Sequence, residues 1–415
     1  MSQKTRIVII GNGFGGVYTL RNFHKFFHRR KDVHLTMIGE KNYFLFTPLL
    51  HEVATGSINP ENIIEPIREV LGCCIDQFYL GKAEKVNIED KTVSVGGCVA
   101  PYDFLVVASG AETNFYNIPG AKEYSLALKS IEDAIKIKNH IISQMERASY
   151  TKDSILRKKM LSFVIVGGGP TGVELATELY ELIKNSFSHY YKKELIEDAF
   201  ISLIQKDKEL LPQFSPKVRG KSLEVLTKKG INVMLGTEVV EVGASHLSLG
   251  SGKRIETESI FWVAGIKPKE INFDQEVSKL KDGRLIVNKY LELEGHKDIF
   301  ALGDNAAFRV GETDNFLPGL AQVAEKEAVS VAENIYLSVR NKELKPFKYR
   351  HTGSMISLGQ WMAIGEVSGF VFLGRITWWI WRTLYLSKFI SSRKKIKVAI
   401  DWTINLFSPR DISEL

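Results

Sequence analysis

Two clusters of glycine carry the first chemical signal in the chain. Residues 11–16 read GNGFGG and residues 167–172 read GGGPTG, so Gly11, Gly13 and Gly16, and again Gly167, Gly169 and Gly172, fall in the spacing G-x-G-x-x-G. In that spacing the first glycine permits a tight turn, the second lets the backbone approach a pyrophosphate, and the third packs a helix on a strand. A helix that starts on the loop then offers N–H donors and a partial positive charge to phosphate. The acid that accepts hydrogen bonds from a ribose is Glu40 in the first cluster's neighbourhood, while Gln205 stands in the corresponding place of the second.

The elements needed to position these residues are legible on either side of them. RIVII (6–10) is a continuous apolar run suited to a strand buried on both faces, and a helical pattern follows over Val17–Phe27. VHLTMIGE (33–40) is the returning strand and ends on Glu40. The same grammar recurs in SFVIVGGGPTGVELATEL (162–179) and AFISLIQ (199–205), which makes an internal duplication of one binding unit. Segments such as KTVSVGG, FLVVASG, RIETESIFWVAG and GRLIVN read as shorter strands, and from Phe370 onward the pattern turns to aromatic-rich helix. The expected fold class is α/β: two Rossmann-like dinucleotide-binding domains plus a C-terminal helical membrane-association region. Two such loops imply two dinucleotides. One flavin (FAD) held as cofactor and one nicotinamide nucleotide that comes and goes is the economical pairing, because a hydride must pass between them.

Composition narrows the class. A chain of 415 residues with 44% apolar and 25% charged residues is globular and large enough for two or three domains. The net charge of +7 is uneven: residues 370–415 hold eight Lys or Arg against three Asp or Glu, and four of the six Trp (Trp378, Trp379, Trp381, Trp402). Basic residues among aromatics favour an anionic membrane surface over nucleic acid. Cys73, Cys74 and Cys98 make no C-x-x-C and no disulfide framework, so a reducing compartment is expected, with Cys73 and Cys74 as core residues. No metal site is expected. Only MSQKT precedes the first strand, so no signal peptide is expected and the protein should sit peripherally on the cytoplasmic face of a membrane.

Longer stretches point to one family. GNGFGG, YFLFTPLLHEVATG (43–56), YDFLVVASGAETNFYNIPG (102–120), GGGPTGVELATEL, FWVAGIKP (261–268), IFALGDNA (299–306), AQVAEKEA (321–328) and KIKVAIDWTINLFSPRDI together resemble the type II NADH dehydrogenases. These are single-chain, non-proton-pumping NADH:quinone oxidoreductases among the flavoproteins with two dinucleotide-binding domains. The resemblance covers essentially the whole chain. It implies an FAD domain over 1–120 and 283–340, an NAD(P)H domain over 121–282, and a membrane-association and dimerisation region over 341–415. It places FAD along Gly11, Gly13, Phe14, Gly15, Gly16, Glu40, Thr47, Pro48, Ala83, Ala108, Gly110, Asp304, Ala321 and Gln322. It places NAD(P)H along Gly167, Gly169, Pro170, Thr171, Gly172, Glu174, Gln205, Ala264 and Gly265. Catalytic roles then fall to Glu174 as the acid–base candidate, expected in the first turn of its helix, and to Gln322 and Lys326 beside a quinone. Lys326 departs from the family's usual A-Q-x-A-x-Q, and a cation there can stabilise an anionic quinol oxygen or change the acceptor.

The resemblance also implies a quinone such as ubiquinone or menaquinone, a homodimer and no nucleic-acid partner. Residues 371–386 are too short to cross a bilayer, which needs about 20 residues. In KIKVAIDWTINLF, Lys397, Asp401 and Asn405 share one stripe of an otherwise apolar helix suited to a membrane interface or a dimer. The enzyme alternative is a sulfide:quinone oxidoreductase-like protein, and the other alternative is a membrane-bound redox sensor with little turnover. At the second site Gln205 removes an acid that would repel a 2′-phosphate, and Lys206 can attract one, so NADH is expected to lead with weakened discrimination against NADPH. Asp207 can alternatively fill the acid's place after a small shift of the turn, and Gln205→Glu is expected to sharpen the preference.

Overall fold

The computed structural model describes residues 4–28, 32–71, 75–311 and 315–414. Cys73 and Cys74 lie outside the described residues, and Cys98 is exposed. Contacts divide the chain into two compact units: residues 1–45, 65–112 and 266–350 form the first, and residues 46–64, 113–265 and 351–415 form the second.

The first unit is built on a five-stranded sheet in the order Ile299–Ala301, Phe104–Val107, Thr5–Ile10, Val33–Gly39, Gln77–Leu80. Every neighbouring pair is parallel. Ile7, Val8, Ile9 and Ile10 are all buried, as the unbroken apolar run requires of a central strand covered on both faces. The Phe14–Phe27 helix packs against the Ala321–Val339 helix.

The second unit repeats the design with a parallel sheet in the order Leu126–Ala127, Ser259–Trp262, Ser162–Val166, Phe200–Ile204, Asn232–Met234. In each sheet the strand that runs into a glycine loop is central, with the returning strand beside it. The repetition extends to single bonds. Gly11 N–H donates to the Ile38 carbonyl at 2.8 Å and Gly167 N–H to the Ile204 carbonyl at 2.8 Å, both where the loop leaves the sheet.

An antiparallel sheet, Ser354–Ser357, Ala363–Val367 and Phe370–Gly374, precedes two helices, Arg375–Lys388 and Ser392–Phe407. Residues 370–374 are therefore a strand, where the sequence suggested helix; their pairing partners are upstream and invisible to local periodicity. Among the described residues no helix is long and apolar enough to cross a membrane.

Candidate functional site

The glycines of the two loops divide the work as their spacing implies. Gly11 and Gly167 adopt φ of +105° and +119°, a region that side chains disfavour. A Cβ on Gly16 would lie 1.8 Å from the Gly11 carbonyl oxygen, and a Cβ on Gly172 would lie 1.8 Å from that of Gly167, so both close the turn against its own backbone. At Gly13 and Gly169 a Cβ would meet nothing within 4 Å. That open space lies at the N-caps of the Phe14–Phe27 and Pro170–Glu181 helices, where no side chain caps the first N–H groups. The first turns hold no acid. Both loops can therefore seat a pyrophosphate against backbone donors.

In the first unit, contacts link the first loop to several of the segments that the resemblance assigned to FAD. Gly15 abuts Leu302, two residues before Asp304, and Ala108 presents its carbonyl to Gly11. Asn305 ties these segments together: its Oδ1 accepts from Gly110 N–H at 2.7 Å and its Nδ2 donates to Ser109 Oγ at 2.9 Å. Glu40 follows its strand directly and pairs with Lys269 at 2.8 Å. Phe14 meets Phe44 edge-on, and Ala83 is buried. Asp304 lies inside a short Gly303–Asn305 turn rather than capping a helix. Ala321 and Gln322 open the Ala321–Val339 helix. From the same helix Glu327 accepts the Gly303 N–H at 2.6 Å; burial, with Asp304 adding to it, pushes its carboxyl up to about 8. Lys326 donates to the Arg350 carbonyl and lies 5.0 Å from the Tyr349 ring centre. Thr47 and Pro48 belong to the second unit, in a short turn at Thr47–Leu49.

Around the second loop, Gly167 packs on Ala264, and Gly265 lies against the Tyr116 hydroxyl. Pro170 and Thr171 open the helix, Pro170 at a position where its missing N–H costs nothing. Gln205 Oε1 accepts the Gly168 N–H at 2.7 Å, and its Nε2 donates to Asp207 Oδ2 at 2.7 Å. Lys206 pairs with Glu238 at 2.7 Å.

Glu174 is in the second turn of the Pro170–Glu181 helix, not the first, because the helix begins at Pro170. The helix-dipole account of an acid there does not apply. Its side chain is instead buried inside the second unit, accepting the Ser357 N–H at 3.2 Å and facing His51 Nδ1 at 3.6 Å. Burial holds Glu174 well above the ordinary carboxylate range, against the Ser357 bond and with Glu52 and Glu178 adding to it. Burial likewise depresses His51 to about 4, so the imidazole is neutral.

Sequence reasoning missed most of this buried cluster. Glu178 is desolvated, yet Arg410, bonded to it at 2.6 Å, holds it below its usual range. Among the described residues Glu52 accepts side-chain bonds from neutral donors, Ser57 Oγ at 3.0 Å and Trp402 Nε1 at 2.6 Å; burial and the nearby Glu178 push it up to about 7. Arg382 lies over the Trp378 ring at 3.6 Å and is lowered to about 10 by burial. The available signal was Glu174, Glu178 and Glu181 on an otherwise apolar helix, and an arginine interrupting a run of tryptophans.

The tail also differs from its pattern. Trp378, Trp381 and Trp402 are buried, and only Trp379 of the four is exposed. At about 25 cal/mol per Å² and roughly 200 Å² each, every buried indole contributes about 5 kcal/mol, before its ordering entropy, to holding the tail helices on their own unit. The polar stripe of Ser392–Phe407 faces inward: Asp401 accepts from Asn59 N–H at 3.0 Å and from Asn62 Nδ2 at 2.6 Å, and Asn405 donates to the Ser57 carbonyl. Ile396, Ile400, Ile404 and Phe407 face outward instead, and on the preceding helix so do Ile376, Trp379, Ile380 and Leu384.

The paired cradles and their sheets define a flavoprotein oxidoreductase with two dinucleotide sites. Family comparison agrees: residues 5–328 match the pyridine nucleotide-disulphide oxidoreductases and residues 351–411 the NDH2 C-terminal domain. The chain is 31% identical, over 98% of its length, to Type II NADH:quinone oxidoreductase Ndh of Mycobacterium tuberculosis, 89% of which is covered. It is 30% identical, over 99% of its length, to the mitochondrial external alternative NADH-ubiquinone oxidoreductase of Yarrowia lipolytica, 81% of which is covered. The chain therefore belongs to the type II NADH:quinone oxidoreductase family. In fold it matches NDH2 from Plasmodium falciparum in complex with NADH, with a TM-score of 0.90 at 23% identity over 99% of this chain and 100% of that one. Membership implies FAD, and the first cradle fits it: open at Gly13, lined by uncapped helix N–H groups, with Glu40 at the strand end.

Proposed function

We propose that the protein oxidises NADH, and NADPH less readily, and delivers both electrons through FAD to a membrane quinone without moving protons across the membrane. The observation that carries this reading is the pair of matched cradles, each open at its middle glycine, one per unit. The first unit holds FAD with Gly11–Gly16, Glu40 and Asp304. When bound, FAD supplies the two-electron chemistry, accepting from the nicotinamide and donating to the quinone. The second unit docks the nicotinamide nucleotide on Gly167–Gly172 and the Gln205 turn. Glu174, whose burial favours its protonated form, is the proton donor candidate for quinone reduction. Lys326, one helical turn beyond Gln322, supplies positive charge near the quinone headgroup.

The outward isoleucines of the two tail helices, with Arg393, Lys394, Lys395 and Lys397 on the second, support peripheral seating on an anionic, cytoplasmic-facing lipid surface. A second copy of the chain is the other occupant this face admits.

Purified protein is expected to be yellow and to oxidise NADH with a short-chain quinone at many turnovers, and to sediment with anionic vesicles. Bound flavin without quinone-dependent turnover would sink the enzyme reading. Ile400→Glu together with Ile404→Glu should abolish sedimentation with vesicles while sparing turnover with the soluble quinone. If the variant instead changes only from dimer to monomer and still binds vesicles, the face is a subunit interface.

A further inference from the structure

The two nucleotide units solve one local problem in opposite ways. In the first, the residue between the first two glycines is Asn12, and its Nδ2 donates to the carbonyls of Lys41 and Tyr43 at 2.7 Å each. The glycine loop is thereby tied to the exit of the returning strand by a loop side chain, and Glu40 takes no part in the tie, pairing with Lys269 instead. In the second unit the residue at that place is Gly168, which has no side chain to make the tie. Gln205 makes it from the other side, accepting the Gly168 N–H at 2.7 Å. The volumes are complementary: a Cβ on Gly168 would lie 3.0 Å from the Gln205 Cβ, just as one on Gly39 would lie 2.7 Å from Asn12 Oδ1.

The bond from Gly168 turns the Gln205 side-chain carbonyl oxygen toward the glycine loop. Its amide nitrogen is also engaged, donating to Asp207 Oδ2 at 2.7 Å. The turn that carries Asp207 is fixed by backbone bonds, Gly236 N–H to the Asp207 carbonyl at 2.8 Å and Thr237 N–H to the Gln205 carbonyl at 2.9 Å. The neighbouring cation, Lys206, is paired with Glu238. What this turn offers a ligand is an exposed carboxylate held in place by an amide.

We infer that Asp207, oriented by Gln205, is the group that selects the unphosphorylated ribose of the nicotinamide nucleotide, with Gln205 as its positioning residue. The inference rests on the reading that the second glycine loop docks that nucleotide. A carboxylate accepts hydrogen bonds from both ribose hydroxyls and repels a 2′-phosphate, whereas the Gln205 amide is uncharged and is turned toward the loop and the acid by its two bonds. A glutamate at 205 would bring two acceptor-only groups within 2.7 Å of each other, so it would disturb Asp207 rather than add a second selector.

The test is calorimetric titration of the full-length flavoprotein with ADP-ribose and with 2′-phospho-ADP-ribose. Wild-type protein is expected to prefer ADP-ribose. In Asp207→Asn, whose side-chain oxygen can still accept from Gln205, the preference should narrow by about tenfold or more through tighter binding of the phosphorylated ligand. In Gln205→Glu both ligands should weaken with no gain in preference. An unchanged preference in Asp207→Asn, or a sharpened one in Gln205→Glu, overturns the inference. If wild-type protein binds neither ligand, the nucleotide-docking reading of the second loop fails first, and the inference falls with it.

Discussion

Glu52→Gln isolates the energetic consequence of burying an acid without a cation bonded to it. In the second unit Glu178 takes the Arg410 guanidinium at 2.6 Å, and Glu52 is left with a serine hydroxyl and an indole N–H. Glu178 is accordingly the ionised member of the pair and Glu52 the protonated one. Burial, then the Glu178 charge, raise Glu52 from 4.5 to about 7. Because the folded state binds this proton more tightly than the unfolded chain, the contribution of Glu52 to stability is highest below about pH 4.5, falls as pH rises, and levels off above about pH 7. A rise of this size corresponds to about 3 kcal/mol in full, of which about 1 kcal/mol is lost between about pH 6 and about pH 8. Glutamine keeps the shape and an oxygen that accepts from Ser57 and Trp402, but it carries no proton to lose. Glu52→Gln should therefore gain on wild type as pH rises, by about 2–4 °C in unfolding midpoint across that interval. The assay is thermal unfolding of both proteins through a pH series in one detergent. A difference between them that stays constant with pH would refute the reasoning, since it would mean that Glu52 keeps one protonation state throughout.

Other substitutions test the cradle and the ion pair. Gly13→Ala should fold but lose bound flavin colour, because its Cβ enters only the open space, whereas Gly16→Ala should fail to form the first sheet, because its Cβ would meet the Gly11 carbonyl at 1.8 Å; visible absorbance and circular dichroism separate the two. Arg410→Ala leaves Glu178 buried without its cation and should destabilise by about 3–5 kcal/mol, with much of the loss recovered by adding Glu178→Gln, as read by denaturant unfolding.

What the sequence shows best is what the backbone must do locally. Gly16 and Gly172 are demanded by contacts within their own loops and Gly11 and Gly167 by their positive φ, so six residues suffice to identify them. The position for an acid at the end of a strand is similarly visible, since Glu40 and its counterpart Gln205 follow directly on Val33–Gly39 and Phe200–Ile204. Which way Gln205 turns is not visible, because it depends on whether the facing loop residue is asparagine or glycine. The tail fails for a different reason. The stripe of Asp401 and Asn405 reveals an amphipathic helix, but periodicity cannot say which side meets protein. Here the polar side wins, because the 57–62 segment presents a backbone N–H and carbonyl and two asparagine amides to bond. Truncation at residue 370, a natural way to probe membrane attachment, would therefore also strip Trp402 from Glu52 and Arg410 from Glu178. Point substitutions on the outward isoleucines are the cleaner probe. Arg410 and Glu178 meet across 232 positions, beyond any local pattern.

That separation bears on how the second unit is made. Its three segments, 46–64, 113–265 and 351–415, are synthesised with the other unit's segments between them. During translation Glu178 emerges long before Arg410, and the surface that Trp402 will cover emerges with Glu52 near the start. A partial chain cannot reach the final packing of this unit, because closing it would bury Glu178 without its counter-ion. The unit's completion is consequently a late event of high contact order, slow by comparison with the helix and hairpin steps that precede it. Until then the nascent chain exposes apolar faces that a chaperone can hold.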